Sequence, residues 1–184
     1  MDAVLSRSVV SRLTGLAGAV ALACGLVLVP ASSPANAQAP LDVRCTGTFT
    51  AGLTPAVTAP LQPQAVNYAA QYTYATCNGA VPSGSSAFTI SSTATCYAER
   101  YVPFDEIITW SDRSTSTVRW GIAVGPLAGG TFTGMVTAGR YEGAAATKIA
   151  LPLDYTGATS VQCAFGEGAI SGAGGSAVLA LTSP

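Results

Sequence analysis

Along the chain from Tyr68 to Leu181 the residues alternate with a period of two, and this constrains the fold more than any other feature. Ser116, Val118, Trp120, Ile122 and Val124 fall on one face, with Thr117 and Arg119 on the other. Phe88, Ile90, Ala94 and Cys96 oppose Thr89, Ser91, Thr93 and Thr95. Tyr68, Ala70, Tyr72 and Tyr74 alternate with Asn67, Gln71 and Thr73, and Phe132, Gly134 and Val136 with Thr131, Thr133 and Thr137. Further on, Ile149, Leu151 and Leu153 stand opposite Lys148, and Ala177, Leu179 and Leu181 close the series. Threonine and aromatic side chains on alternate positions suit a half-buried pleated surface. No window carries the spacing of a long capped amphipathic helix.

Turn signals separate these runs: Pro55 to Pro63, Asn78-Gly79 with Pro82-Ser83-Gly84, Ser111-Asp112-Arg113, Gly125-Pro126 with Gly129-Gly130, Thr156-Gly157, and Gly172 to Gly175. About seven to nine short strands at this spacing predict an all-β domain. An antiparallel β-sandwich, immunoglobulin-like or related, is expected ahead of a closed barrel. The reason is that the stretches 51–65 and 153–167 read as too irregular for eight even hairpins.

The first 37 residues read as a secretory signal peptide. Arg7 and Arg12 precede an apolar run from Leu16 to Val29, Pro30 breaks it, and Ala35-Asn36-Ala37 is an A-x-A cleavage site. The apolar run is shorter than the roughly 20 residues a transmembrane helix requires. Acylation at Cys24 is the competing reading, but the preceding Leu22 is one place too late for a lipobox. Residues 38–184 are then a single secreted domain with no membrane attachment after cleavage. The four cysteines left there, Cys45, Cys77, Cys96 and Cys163, are expected to form two disulfides in an oxidising compartment. Alternating strand directions put Cys45 and Cys77 at one end and Cys96 and Cys163 at the other, so those two pairings are preferred.

Only 9 % of the 184 residues are charged, the net charge is −1 and there is no histidine. Without histidine there is no Ser-His-Asp triad, Cys-His pair or imidazole metal site. With one lysine and no basic excess, nucleic acid is not an expected partner. No cofactor motif occurs: P-loop, dinucleotide fingerprint and nucleophile elbow are all missing. Carboxylates such as Asp105 or Glu106 with Glu142, Asp154 or Glu167 could be paired as glycosidase groups only if the fold brought them together. Asp154 and Glu167 lack the spacing of a calcium loop.

Charge and aromatic residues gather between 97 and 120. Tyr97, Glu99, Arg100, Tyr101, Phe104, Asp105 and Glu106 have the composition of a recognition loop and are the candidate binding residues. Trp110 and Trp120 read as core, since Trp120 is in register with Val118. The segment Gly139-Arg140-Tyr141-Glu142-Gly143 reads as a bulged turn with glycines supplying positive φ.

Several short motifs carry a resemblance. They are Cys45-x-Gly47, Ile108-Thr109-Trp110-Ser111-Asp112 with Ser116-Thr117-Val118, and Gly134-x-Val136-Thr137-x-Gly139-Arg140-Tyr141-x-Gly143, followed by Cys163 and a glycine-rich last strand. Together they resemble a group of small exported, β-rich proteins of actinobacteria. Arg113 stands where that group often has glycine, and Ala144 where it often has aspartate. The resemblance implies a compact exported β domain and no particular activity. The expected function is therefore a non-enzymatic extracellular binding or structural module. Its partner would be cell-wall or environmental polysaccharide, or an extracellular protein. The alternatives are a secreted protease inhibitor presenting the 97–106 loop, and a small-ligand or carbohydrate-binding protein.

Overall fold

The computed structural model describes residues 43–58 and 60–183; the expected signal peptide and its cleavage site lie outside them. The described residues form β1 (Val43–Val57), β2 (Gln64–Asn78), β3 (Gly84–Ala94), β4 (Ala98–Tyr101), β5 (Phe104–Trp110), β6 (Thr115–Trp120), β7 (Ala123–Pro126), β8 (Gly130–Gly139), β9 (Ala145–Gly157), the short helix α1 (Ser160–Ala164) and β10 (Ile170–Thr182).

The expected sandwich is not what forms. Pairing runs β2–β1–β10–β9–β8–β6–β5–β3, and β3 returns to β2, so the sheet closes as an eight-stranded antiparallel barrel. β1 makes the seam: Cys45 lies opposite Cys77 on one side and Leu179 on the other. β4 and β7 stand outside the ring as a two-stranded ribbon. β4 pairs with the end of β3 (Ser92 with Tyr101, Ala94 with Glu99), while the start of β3 pairs with β5.

The two stretches that suggested irregularity are mostly strand. β1 continues to Val57 and β2 begins at Gln64, leaving a short loop. Pro55, which has no N–H to donate, falls where the β1–β10 register jumps from Gly52 to Val57 and beyond the last β1–β2 pair at Thr54. β9 likewise runs to Gly157, and α1 then starts with a capping box. The Thr159 side chain accepts from the Gln162 N–H, and the Gln162 side chain accepts from the Thr159 N–H.

Curvature comes from bulges at glycine. The β1–β2 register shifts between Thr46 and Gly47, and the β9–β10 register between Gly174 and Gly175. A Cβ at Gly47 would lie 1.8 Å from the Thr73 carbonyl oxygen, and one at Gly175 would lie 2.0 Å from that of Leu151. Only glycine lets the neighbouring strands approach this closely as the barrel coils.

Two disulfides brace the ends, Cys45–Cys77 between β1 and β2 and Cys96–Cys163 between the β3–β4 turn and α1. Both pairings are those that strand direction suggested. Near the Cys45 end, the motif residues make a clasp between hairpins. Trp110 Nε1 donates to Ser116 Oγ (2.9 Å), Ser116 Oγ donates to the Arg140 carbonyl (2.5 Å), and Trp110 meets Tyr141 edge-on. Arg140 also pairs with Asp112. The bulged turn is as expected, with Gly139 and Gly143 at positive φ, and Tyr141 joins them at φ 65°.

Inside, the lumen is packed with side chains, as eight strands leave room for little else. Phe49, Tyr68, Tyr72, Tyr74, Tyr101, Trp110, Trp120 and Phe132 are buried, the two tryptophans as expected. Two expectations about facing are corrected. Ile122 and Val124 do not continue the inner face of Trp120, because β6 ends there and β7 pairs only with β4; both are exposed. In β9 the polarity is reversed: Ala146, Lys148 and Ala150 point inward, while Ile149, Leu151 and Leu153 point toward solvent.

Candidate functional site

The reversal of β9 has a cause within the lumen. Lys148 Nζ lies 2.6 Å from Glu106 Oε2, and both side chains are fully buried. Glu106 is on β5, across the lumen from β9, with β6 and β8 between them in the wall. Trp120 Nε1 donates to the same Oε2 (2.6 Å), and Ser86 Oγ donates to Oε1 (2.5 Å). Both carboxylate oxygens are therefore held.

Five rings surround the ammonium. Its nitrogen is 4.2 Å from the centroid of Tyr72, 4.8 Å from Phe88, 4.9 Å from Trp120, 5.0 Å from Phe132 and 5.7 Å from Phe104. Ring faces attract a cation, more strongly when water is excluded. Burial lowers the Lys148 pKa below its ordinary value, and the Glu106 charge opposes that shift. Flipping β9 by one residue would move Lys148 to solvent and leave Glu106 charged and unpaired, which explains why the apolar trio yields the inner face.

A second carboxylate, Glu99 on β4, is buried at the open flank of the ring. It accepts from Ser92 Oγ (2.5 Å), Tyr101 Oη (2.9 Å) and the Ala128 N–H (2.9 Å). Burial raises its pKa, and these three hydrogen bonds pull the other way. They pin the β4–β7 ribbon and the turn at Ala128 to the barrel.

The seven candidate binding residues are divided by the pleat. Residues 97–106 were expected to form one recognition loop, but they run through β4 and into β5. Glu99, Tyr101, Phe104 and Glu106 face the interior, while Tyr97, Arg100 and Asp105 face outward. Asp105 is engaged with Arg119 on β6 at 3.0 Å. Of the carboxylates considered for pairing, Glu106 is sealed inside and out of reach of the others, while Asp105, Glu142, Asp154 and Glu167 are exposed. Among the described residues no group of three or more His, Cys, Asp or Glu side chains could hold a metal ion.

Large apolar side chains are exposed at the barrel end closed by Cys96–Cys163. The bridge holds the Cys96 and Cys163 Cα atoms 5.7 Å apart, so Tyr97 and Phe165 project from neighbouring loops. The β1–β2 loop reaches the same end, since Cys163 Sγ contacts the Val57 carbonyl at 3.3 Å and Gln64 pairs with Ala94. The tips of these loops are apolar and open: Leu61 and Phe165 are each 77 % exposed, Val161 59 % and Tyr97 52 %. Tyr97 is among the residues the sequence singles out, while Leu61, Val161 and Phe165 are not. Their only sequence signal was large apolar residues inside turn segments, beside a cysteine or a proline.

Shallow hollows line the outer wall along β2, β3 and β5, one of them about 460 Å³ at Gln71, Thr73, Ser85, Ala87, Ile107 and Thr109. The chain matches no family model, no curated protein and no solved structure.

Proposed function

We propose that this is an exported extracellular protein, a non-enzymatic binding module that recognises its partner through the loop end stapled by Cys96–Cys163. The observation that carries the reading is the set of open apolar side chains, Leu61 on the β1–β2 loop, Tyr97 on the β3–β4 turn, and Val161 and Phe165 on α1 and its C-cap, all tied to a rigid barrel. Loops on a rigid scaffold are where binding residues concentrate. Exposed aromatic residues beside aliphatic ones match the core of a protein–protein contact. An extracellular protein is therefore the favoured partner over a polysaccharide.

Several features support the non-enzymatic reading. Glu99 and Glu106 spend their hydrogen-bonding capacity on Ser92, Tyr101, Ala128, Ser86, Trp120 and Lys148 inside the barrel. A small-ligand carrier would need lumen space that aromatic rings occupy. An inhibitor presenting 97–106 would need a free extended segment, whereas β4 is paired on both sides. Export is supported by the two disulfides, which persist in oxidising compartments.

The test is recovery of partners from culture supernatant and from cell-wall, chitin and cellulose preparations. The secreted wild type is compared with Tyr97→Ala/Phe165→Ala and with the wall variant Leu151→Thr. Loss of a bound protein in the first variant alone is expected. Equal recovery by all three, or retention on polysaccharide that ignores Tyr97 and Phe165, overturns the reading. Mass analysis of the same secreted protein is expected to show a chain beginning at Gln38 with four oxidised cysteines.

A further inference from the structure

We infer that Lys148 and Glu106 condense into an intramolecular amide that bridges the barrel lumen from β9 to β5. The amine nitrogen and the carboxylate are already at 2.6 Å, on strands that closure of the barrel fixes relative to one another. Holding two reactants in such contact replaces a bimolecular encounter by an effectively unimolecular step. Both side chains are at zero exposure and walled by Tyr72, Phe88, Trp120 and Phe132, so bulk water does not compete for the carboxyl carbon.

The surroundings favour the neutral product over the ion pair. Two charges sealed among aromatic rings carry a desolvation penalty that their attraction only partly offsets, and a neutral amide carries a much smaller one. In the step itself, a proton passes from the ammonium to Oε2 within the existing hydrogen bond. The free amine attacks the Glu106 carboxyl carbon, and the developing charge on Oε1 is met by the Ser86 hydroxyl, which already donates there. Trp120 Nε1 donates to the departing Oε2. The Nζ–C bond forms, the C–Oε2 bond breaks, and Oε2 leaves with two of the three ammonium hydrogens as water. Nothing is oxidised or reduced, and no co-reactant is consumed. The link joins nearly opposite walls, a connection that neither disulfide makes.

Lys148 is the only lysine, which makes the test simple. The mature wild-type protein is reduced, alkylated, denatured and weighed, then digested with trypsin. The amide predicts a mass short by one water and a branched product joining 101–113 to 141–184, because trypsin cannot cleave after an acylated lysine. Lys148→Met, folded or not, is expected at its full sequence mass. Glu106→Gln is expected to reach the same branched product with loss of ammonia in place of water. Wild-type protein at full mass that releases 149–184 as a separate peptide overturns the inference. So does a water loss with that peptide still released.

Discussion

Replacing Lys148 by methionine is the sharpest perturbation of the interior. Methionine fills much of the same space, and its sulfur suits a cage of rings, which returns about 0.3–1.5 kcal/mol. Against that, Glu106 is left fully buried with its cation gone, held only by Ser86 and Trp120. Removing one partner of a buried pair costs about 3–5 kcal/mol. The expected net loss is therefore about 3 kcal/mol, roughly 6–12 °C in Tm for a domain of this size. An amide between the two residues would be lost as well, so the figure is a lower bound. The double variant Lys148→Met/Glu106→Gln removes both charges and is expected to recover about 2 kcal/mol of the loss, since apolar replacement of an entire buried pair is often tolerated. Urea unfolding of wild type, Lys148→Met and the double variant measures both the loss and its recovery. A Lys148→Met variant within about 1 kcal/mol of wild type, with no recovery in the double variant, would refute a buried, caged lysine.

Three further outcomes follow from other parts of the structure. Burial holds Tyr68, Tyr72, Tyr74 and Tyr101 well above the ordinary tyrosine pKa of 10.0, so the native state keeps protons that the unfolded chain releases. Their contribution is whole below pH 10 and is lost as pH rises beyond it; tyrosinate absorbance should jump together with loss of structure, whereas smooth titration of all seven tyrosines in folded protein would contradict it. Arg113 sits at φ 70° between β5 and β6, so Arg113→Gly is expected to raise stability by about 0.5–1 kcal/mol in chemical denaturation. Leu151→Ala should cost within about 0.5 kcal/mol and Leu179→Ala about 2–5 kcal/mol, because the first side chain faces solvent and the second is buried. Equal losses at the two positions would mean that β9 is not reversed.

How far the sequence disclosed all this depended on whether the deciding interaction was local. Alternation along one strand is local, so the inward faces of β2, β3 and β10 were legible from Tyr68, Phe88 and Leu179. The disulfides followed from strand direction alone. β9 was misread because Ile149, Leu151 and Leu153 outweigh one lysine on any hydropathy count, while the partner that draws Lys148 inward is 42 positions away in sequence. A lone lysine between Ala146 and Ala150 was the available hint, for small neighbours leave room for a long side chain in a lumen. Barrel and sandwich differ only in whether β1 meets β10 across the seam, a long-range pairing that no periodicity reports. The composition of 97–106 suggests one surface only while its pleat is ignored. Alternation alone would have assigned Tyr101 and Glu99 to one side and Arg100 to the other. Arg113 shows the reverse case, in which a residue inside a turn signal takes a positive φ that glycine would suit better.

Above all, the single lysine lies inside the barrel rather than on its wall. Treating the native protein with an amine-reactive reagent tests this directly, with a Leu151→Lys variant supplying an accessible amine on the outer wall as the control. The introduced amine is expected to be labelled while Lys148 stays unmodified in the folded protein. Modification of Lys148 in folded protein at a rate near that of the introduced amine would contradict it.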